Sequence, residues 1–219
     1  MSSSDFNFDE KMCKKMLAKP FRYDFYNYKF DKNKRYFEKY MIVGHNPGDR
    51  LKAEQAEDLC NAREDAKCLS IINRRWLIRY LKGIPFWGHF QKTFGLEFDQ
   101  IVEHFYFTDV IKDRGRTECD DEDVNILKKE IRFLGSKCKA VLAFGEFSRK
   151  EVKKCLEDIY KCKYKQNHVI GGRIKIFKAN MGPVLCHLPH YSNRGQAKNP
   201  VTPKALKELK KFLDDLDKH

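Results

Sequence analysis

Several features are missing from this 219-residue chain, and each absence removes a class of protein. No run approaches the roughly 18 consecutive apolar residues of a membrane span, so no membrane association is expected. The eight cysteines, at positions 13, 60, 68, 119, 138, 155, 162 and 186, include no C-x-x-C pair. No secretory leader is recognisable either, so reduced thiols in an intracellular protein, cytoplasmic or nuclear, are expected. Cys186, His187 and His190 lie close together, but no fourth ligand has zinc-site spacing, and no metal or other cofactor is expected. No internal repeat or low-complexity linker divides the chain. A single domain over 1–219 is expected, with 1–38 as an N-terminal helical or loop extension.

What is present is charge and a core. Hydrophobic residues at 42%, with 13% aromatics, exclude a disordered chain. Lys and Arg total 44 against 31 Asp and Glu, leaving a formal charge of +13. That excess suits a polyanionic partner, because cations docked on phosphates release counterions. A lysine-rich solvated surface explains the charge equally well, and the lysine run around 128–165 reads as a solvated helical face.

Short apolar runs alternate with helical patterns. "YMIVGHN" (40–46), "HFYFTDV" (104–110), "AVLAFGE" (140–146) and "PVLCHLP" (183–189) are uninterrupted, as strands covered on both faces are. Between them, "AEQAEDLCNAREDA", "NRRWLIRYLK", "DVNILKKEIRFLGSK" and "FSRKEVKKCLEDIYK" space their apolar residues along one helical face. The C-terminal helix opens with Thr202 as N-cap and Pro203 at its first position. "HVIGGRIKIFKA" (168–179) predicts a hairpin turning on Gly171-Gly172. The alternation predicts an α/β fold, a three-layer α/β/α sandwich with a central, mainly parallel four-stranded sheet.

Ligands of such sheets sit beyond the carboxyl ends of the strands. The first strand there delivers Gly44-His45-Asn46-Pro47-Gly48, and the second delivers Thr108-Asp109 followed by Lys112 and Arg114. The third gives Gly145-Glu146-Phe147-Ser148, and the fourth gives His187, His190, Tyr191, Ser192, Asn193 and Arg194. "GIPFWG" (83–88) sets Phe86 and Trp87 in a Gly/Pro context, apt for a stacking wall.

These segments resemble the uracil-DNA glycosylase superfamily. "GHNPG" is similar to the G-x-N-P-G motif of the mismatch-specific thymine/uracil and single-strand-selective glycosylases. "GIPFWG" resembles the segment that sets an aromatic against the flipped base. "FYFTDVIKDRG" is similar to a second-strand motif that in many relatives reads T-N-x-x-K. "PHYSNRGQAKN" resembles the last motif, with its catalytic histidine and DNA-inserting loop. The segments recur in family order over roughly residues 40–200. Three departures stand out. Tyr191 replaces the proline after the motif histidine, Asp109 replaces a base-reading asparagine, and no four cysteines are spaced as in the iron–sulfur branch.

The resemblance implies a monofunctional DNA glycosylase acting, as a monomer, on a damaged base in single- or double-stranded DNA. His190 would stabilise the departing base and Asn46 would orient water. Gly44, His45, Pro47, Gly48, Phe86, Trp87 and Asp109 would line the base, and Lys112, Ser148, Ser192, Asn193 and Arg194 would meet the backbone. Plainer readings stand beside these. Asn46-Pro47-Gly48 is also an ordinary turn sequence, Phe86 and Trp87 are also core-type residues, and His187 rivals His190. Asp109 poses a specific difficulty. Uracil offers an N–H donor beside carbonyl acceptors, whereas an ionised aspartate only accepts. Either the carboxyl is protonated, or it turns to Lys112, or the base carries an amino group. The alternatives are therefore a glycosylase for an amino-bearing base or deaminated purine, and a nucleic-acid-binding protein without catalysis.

Overall fold

The computed structural model describes residues 39–45, 77–112, 117–190 and 201–218. Its strands are β1 (Tyr40–Gly44), β2 (Tyr106–Asp109), β3 (Ala140–Phe144), β4 (Lys165–Ile170), β5 (Ile174–Lys178) and β6 (Val184–Leu188). Its helices are α1 (Pro85–Phe94), α2 (Phe98–His104), α3 (Asp121–Leu134), α4 (Gly145–Tyr160) and α5 (Pro203–Asp217), besides helical residues at 77–82. Among the described residues, no helix is long and apolar enough to cross a membrane.

All six strands join one sheet in the order β2-β1-β3-β6-β5-β4. The four apolar runs form its parallel block, β2-β1-β3-β6, as expected. The expected count of four strands is corrected to six, because the hairpin joins the same sheet. β5 pairs antiparallel with β6, and β4 pairs with β5 at the edge. The cause lies in β5, whose Ile174, Ile176 and Phe177 are all buried and need a larger sheet to cover them. The turn itself is as read. Gly171 and Gly172 both have positive φ, and the Arg173 N–H donates to the Ile170 carbonyl at 3.0 Å.

Successive residues of β1 enter different cores. Tyr40 and Ile42 join the cluster that holds Phe86, Trp87 and Phe90 of α1 and Leu206, Leu209 and Leu213 of α5. Met41 and Val43 join Leu127 and Ile131 of α3 and Val152 and Leu156 of α4. This period-two division follows from the pleat, and it explains why the strand runs are apolar without interruption.

Two local features set the helices. Thr202 caps α5, its hydroxyl accepting from the Ala205 N–H at 3.2 Å. The hairpin turn presses on this end of α5, where a Cβ at Gly171 would lie 2.4 Å from the Ala205 Cβ. The Gly171 N–H also donates to Glu208 Oε2 at 2.7 Å. Pro85, in the segment expected to form a wall, instead opens α1 at its first turn.

Because α5 packs its leucines under the sheet, Leu209→Ala should lower stability by about 2–5 kcal/mol in urea unfolding. Lys211→Ala, on the exposed side of the same helix, should stay within about 0.5 kcal/mol of the parent.

Candidate active site

Four adjacent parallel strands end on one side of the sheet, and the described candidate residues cluster there. The ladder continues past β2, with the Val110 N–H donating to the Gly44 carbonyl at 3.1 Å and the Ile111 N–H to the His45 carbonyl at 3.0 Å. Backbone pairing thus holds the tail of β1. Asn46, Pro47, Gly48, Arg114, Tyr191, Ser192, Asn193 and Arg194 lie outside the described residues.

Asp109 ends β2 as the register partner of Gly44 and is only 8% exposed. A Cβ at Gly44 would fall 2.1 Å from Asp109 Oδ1, so this glycine makes room for the carboxylate. By strand alternation Asp109 shares a face with Phe107, which meets the Trp87 ring at 5.5 Å. On that face Phe86 packs edge-on against Phe144, the last residue of β3, at 5.4 Å. Phe86 and Trp87 are members of the buried core, at 9% and 1% exposure, and form its top layer under the strand ends.

Two imidazoles meet at the same end. The His45 ring lies 4.3 Å from the Phe147 ring, and its Nε2 is buried without a hydrogen-bond partner among the described residues. His190 rests on Gly145, where an added Cβ would sit 3.5 Å from the His190 Cδ2. Burial lowers the pKa of both histidines, and the proximity of His45 lowers that of His190 further. Both are neutral at pH 7, each with one donor and one acceptor nitrogen. His187 lies elsewhere. It shares the α4 face of β6 with Leu185, and its Nε2 is 3.9 Å from Glu146 Oε2. Burial drives its pKa down to about 4, against the opposing pull of Glu146. The structure therefore brings His190, not His187, to His45, while His187 meets Glu146 at the start of α4.

Two expected backbone contacts are corrected. Lys112 is buried, its side chain 1% exposed, and its ammonium bonds to Glu130 Oε2 at 2.7 Å, to Thr108 Oγ1 at 2.6 Å and to the Asp109 carbonyl. With its three protons committed inside the fold, Lys112 has none for a phosphate. Nor does it pair with the Asp109 carboxylate. Ser148 is fully buried on the sheet-facing side of α4, with Val152 and Cys155, and its hydroxyl has no partner among the described residues. Glu130 is the residue that sequence reasoning missed. It also accepts from the Thr108 hydroxyl at 3.0 Å and from the Tyr106 hydroxyl at 3.3 Å. Its signal was available, since it interrupts the apolar stripe of Ile126, Leu127, Ile131 and Leu134 on α3.

Burial pushes the thiols of Cys138, Cys155 and Cys186 up to about 12. Such thiols are not nucleophiles at neutral pH.

Two outcomes follow from these buried charges. Glu130→Ala strands the Lys112 ammonium and should cost about 3–5 kcal/mol in urea unfolding, whereas Lys112→Met combined with Glu130→Leu should recover most of that loss. The second outcome concerns acid. Unfolded His187 takes a proton near 6.5, while the folded residue holds off to about 4. Stability should therefore fall as pH drops through that window, by up to about 1.4 kcal/mol per unit from this residue. His187→Gln should flatten the fall in urea midpoints between pH 7 and pH 4.5.

Compared with known proteins, the chain matches no family model, no curated protein and no solved structure.

Proposed function

We propose that this protein is a monofunctional DNA glycosylase that hydrolyses the N-glycosidic bond of uracil or a related damaged base flipped out of DNA. One observation carries this reading. Three of the four segments that resemble the glycosylase motifs include or directly follow the ends of strands in the parallel block, where Gly44 adjoins Asp109 and, separately, His45 lies near His190. The charge of +13 supports a polyanionic partner. On this reading the parallel block with its helices is the three-layer α/β/α sandwich of the resemblance, and the β4–β5 hairpin is an addition at one side.

A base inside a duplex is out of reach, so it must be extruded before reaction. As the N-glycosidic bond breaks, the electron pair leaves with the base and positive charge grows on the sugar. His190, neutral at pH 7, donates its ring N–H to the oxygen of the departing base. Asn46 holds a water through its side-chain carbonyl. The water oxygen bonds to C1′, and its released proton neutralises the base. Positioning suffices because the leaving group is stabilised as an anion. With Lys112 and Ser148 inside the fold, the phosphate contacts fall to Ser192, Asn193 and Arg194. DNA is the partner, and the protein acts as an intracellular monomer.

Single-turnover release of base from oligonucleotides carrying one lesion tests this proposal. Wild type should release at least one base, and His190→Ala and Asn46→Ala should each slow release ~10²-fold or more with little change in DNA affinity. DNA binding without release of any base would leave the non-catalytic binding protein as the better reading. Wild-type rates in His190→Ala with loss in His187→Ala would transfer the role to His187.

A further inference from the structure

We propose that the first half of α5, with its lysine stripe Lys204, Lys207 and Lys211, is a docking surface for the phosphate backbone of duplex DNA flanking the site. The inference rests on DNA as the partner in the proposed function, and it names the side of the molecule over which that DNA runs.

The direction of α5 comes first. Gly171 of the hairpin turn lies against Ala205 in the first turn of α5, and its N–H donates to Glu208. β4 runs parallel to the central block, so that turn stands at the end of the sheet where the parallel strands finish. Farther along α5, the Leu213 carbonyl accepts from the Tyr40 hydroxyl at 3.1 Å, and Asp217 pairs with Lys39 at 3.4 Å, where β1 begins. α5 therefore opens at the end of the sheet that carries His45 and His190, and runs away from it. The segment 191–200, with Ser192, Asn193 and Arg194, joins His190 to this start in the chain.

The charges along α5 reverse the order that a helix favours. A helix N-terminus is partly positive, so acids stabilise the first turn and bases the last. α5 has no acid in its first turn and no base in its last. Lys204, Lys207, Lys210 and Lys211 come early, and Asp214, Asp215 and Asp217 come late. Lys210 is paired with Asp214 at 2.7 Å. Lys204, Lys207 and Lys211 are exposed on one stripe, at i, i+3 and i+7, and make no ion pair or hydrogen bond among the described residues. Helix stability does not explain that order, and a local rule broken near a site points to a partner.

The shape of the charge then selects the partner. Seven residues of helix rise about 10 Å, the axial length of about three base pairs, so the stripe matches a row of successive phosphates. The diagonally opposite corner has the other sign. α3 packs on the other face of the sheet and starts beside the end of β2, with Asp120, Asp121 and Glu122 exposed. A backbone leaving the strand ends is drawn toward α5 and repelled from the start of α3.

The experiment compares double variants of the whole chain in binding to a short undamaged DNA duplex, by fluorescence anisotropy across a salt series. Lys204→Glu/Lys207→Glu should weaken binding ~10-fold or more and lower the slope of log affinity against log salt by about two. It should melt no lower than wild type, because it places an acid in the first turn. Lys204→Gln/Lys207→Gln, which removes charge without adding any, should lower the slope equally. Lys163→Glu/Lys165→Glu makes the same change in net charge at the far end, where β4 begins, and should stay within ~3-fold of wild-type affinity. Equal losses in the two Glu variants, an unchanged slope in the α5 variants, or no duplex binding by wild type would overturn the proposal. Base release, measured in the same proteins, separates it from the glycosylase reading. The expected binding losses with no base released from any lesion uphold this surface and remove the glycosylase. Release by wild type with unaltered binding in the α5 variants does the opposite.

Discussion

An ammonium and a carboxylate, both withdrawn from water, lie beneath the strand ends, and the geometry above them depends on their pairing. Lys112 and Glu130 are each at most 1% exposed along their side chains. Neither charge is tolerable alone in that setting, because desolvation of a single ion costs several kcal/mol. The pair is satisfied only when α3 lies against β2 at one height, with Thr108 and Tyr106 supplying hydroxyls to the same carboxylate. The Lys112 N–H adds a second tie by donating to Asp123 Oδ1 at 2.9 Å, near the start of α3. The end of β2 is thus fixed from below, and through Val110 and Ile111 it fixes the tail of β1.

Above this anchor, the ends of β2 and β1 send side chains to opposite faces. Asp109 turns to the aromatic face formed by α1, and His45 turns to the face of α4. His190 follows β6 and comes to rest on Gly145. Groups from strands far apart in sequence come together because parallel strands end on one side, which is the general reason such sheets carry sites there.

Much of this was legible in the residues. The four parallel strands were readable because burial on both faces leaves no polar interruption, and α5 because Thr202 and Pro203 mark its start. The hairpin was readable from Gly171-Gly172, but not its docking, since local periodicity does not say whether two strands pair with a third. The helix at Pro85 was hidden by its flanking glycines, which resemble a loop until proline is read as a helix opener. The position of Lys112 was misjudged for a different reason. Its partner lies 18 residues further along the chain, and only tertiary contact reveals that the lysine points inward. Ser148 followed the same course, because its place near the start of α4 suggested exposure while its helical phase aims it at the sheet.

Among the described residues, β4 ends the sheet on one side and carries Lys165, Gln166, Asn167 and His168 with their surfaces exposed. Its pairing with β5 slips between Gln166 and His168. An open edge is a template on which another chain can build a further strand, and a regular apolar edge invites that growth. A charged residue at its start and a break in its register spoil the template. Among the described residues, the hairpin that enlarges the sheet therefore also gives that border a charged, irregular strand, a pattern that disfavours edge-to-edge pairing.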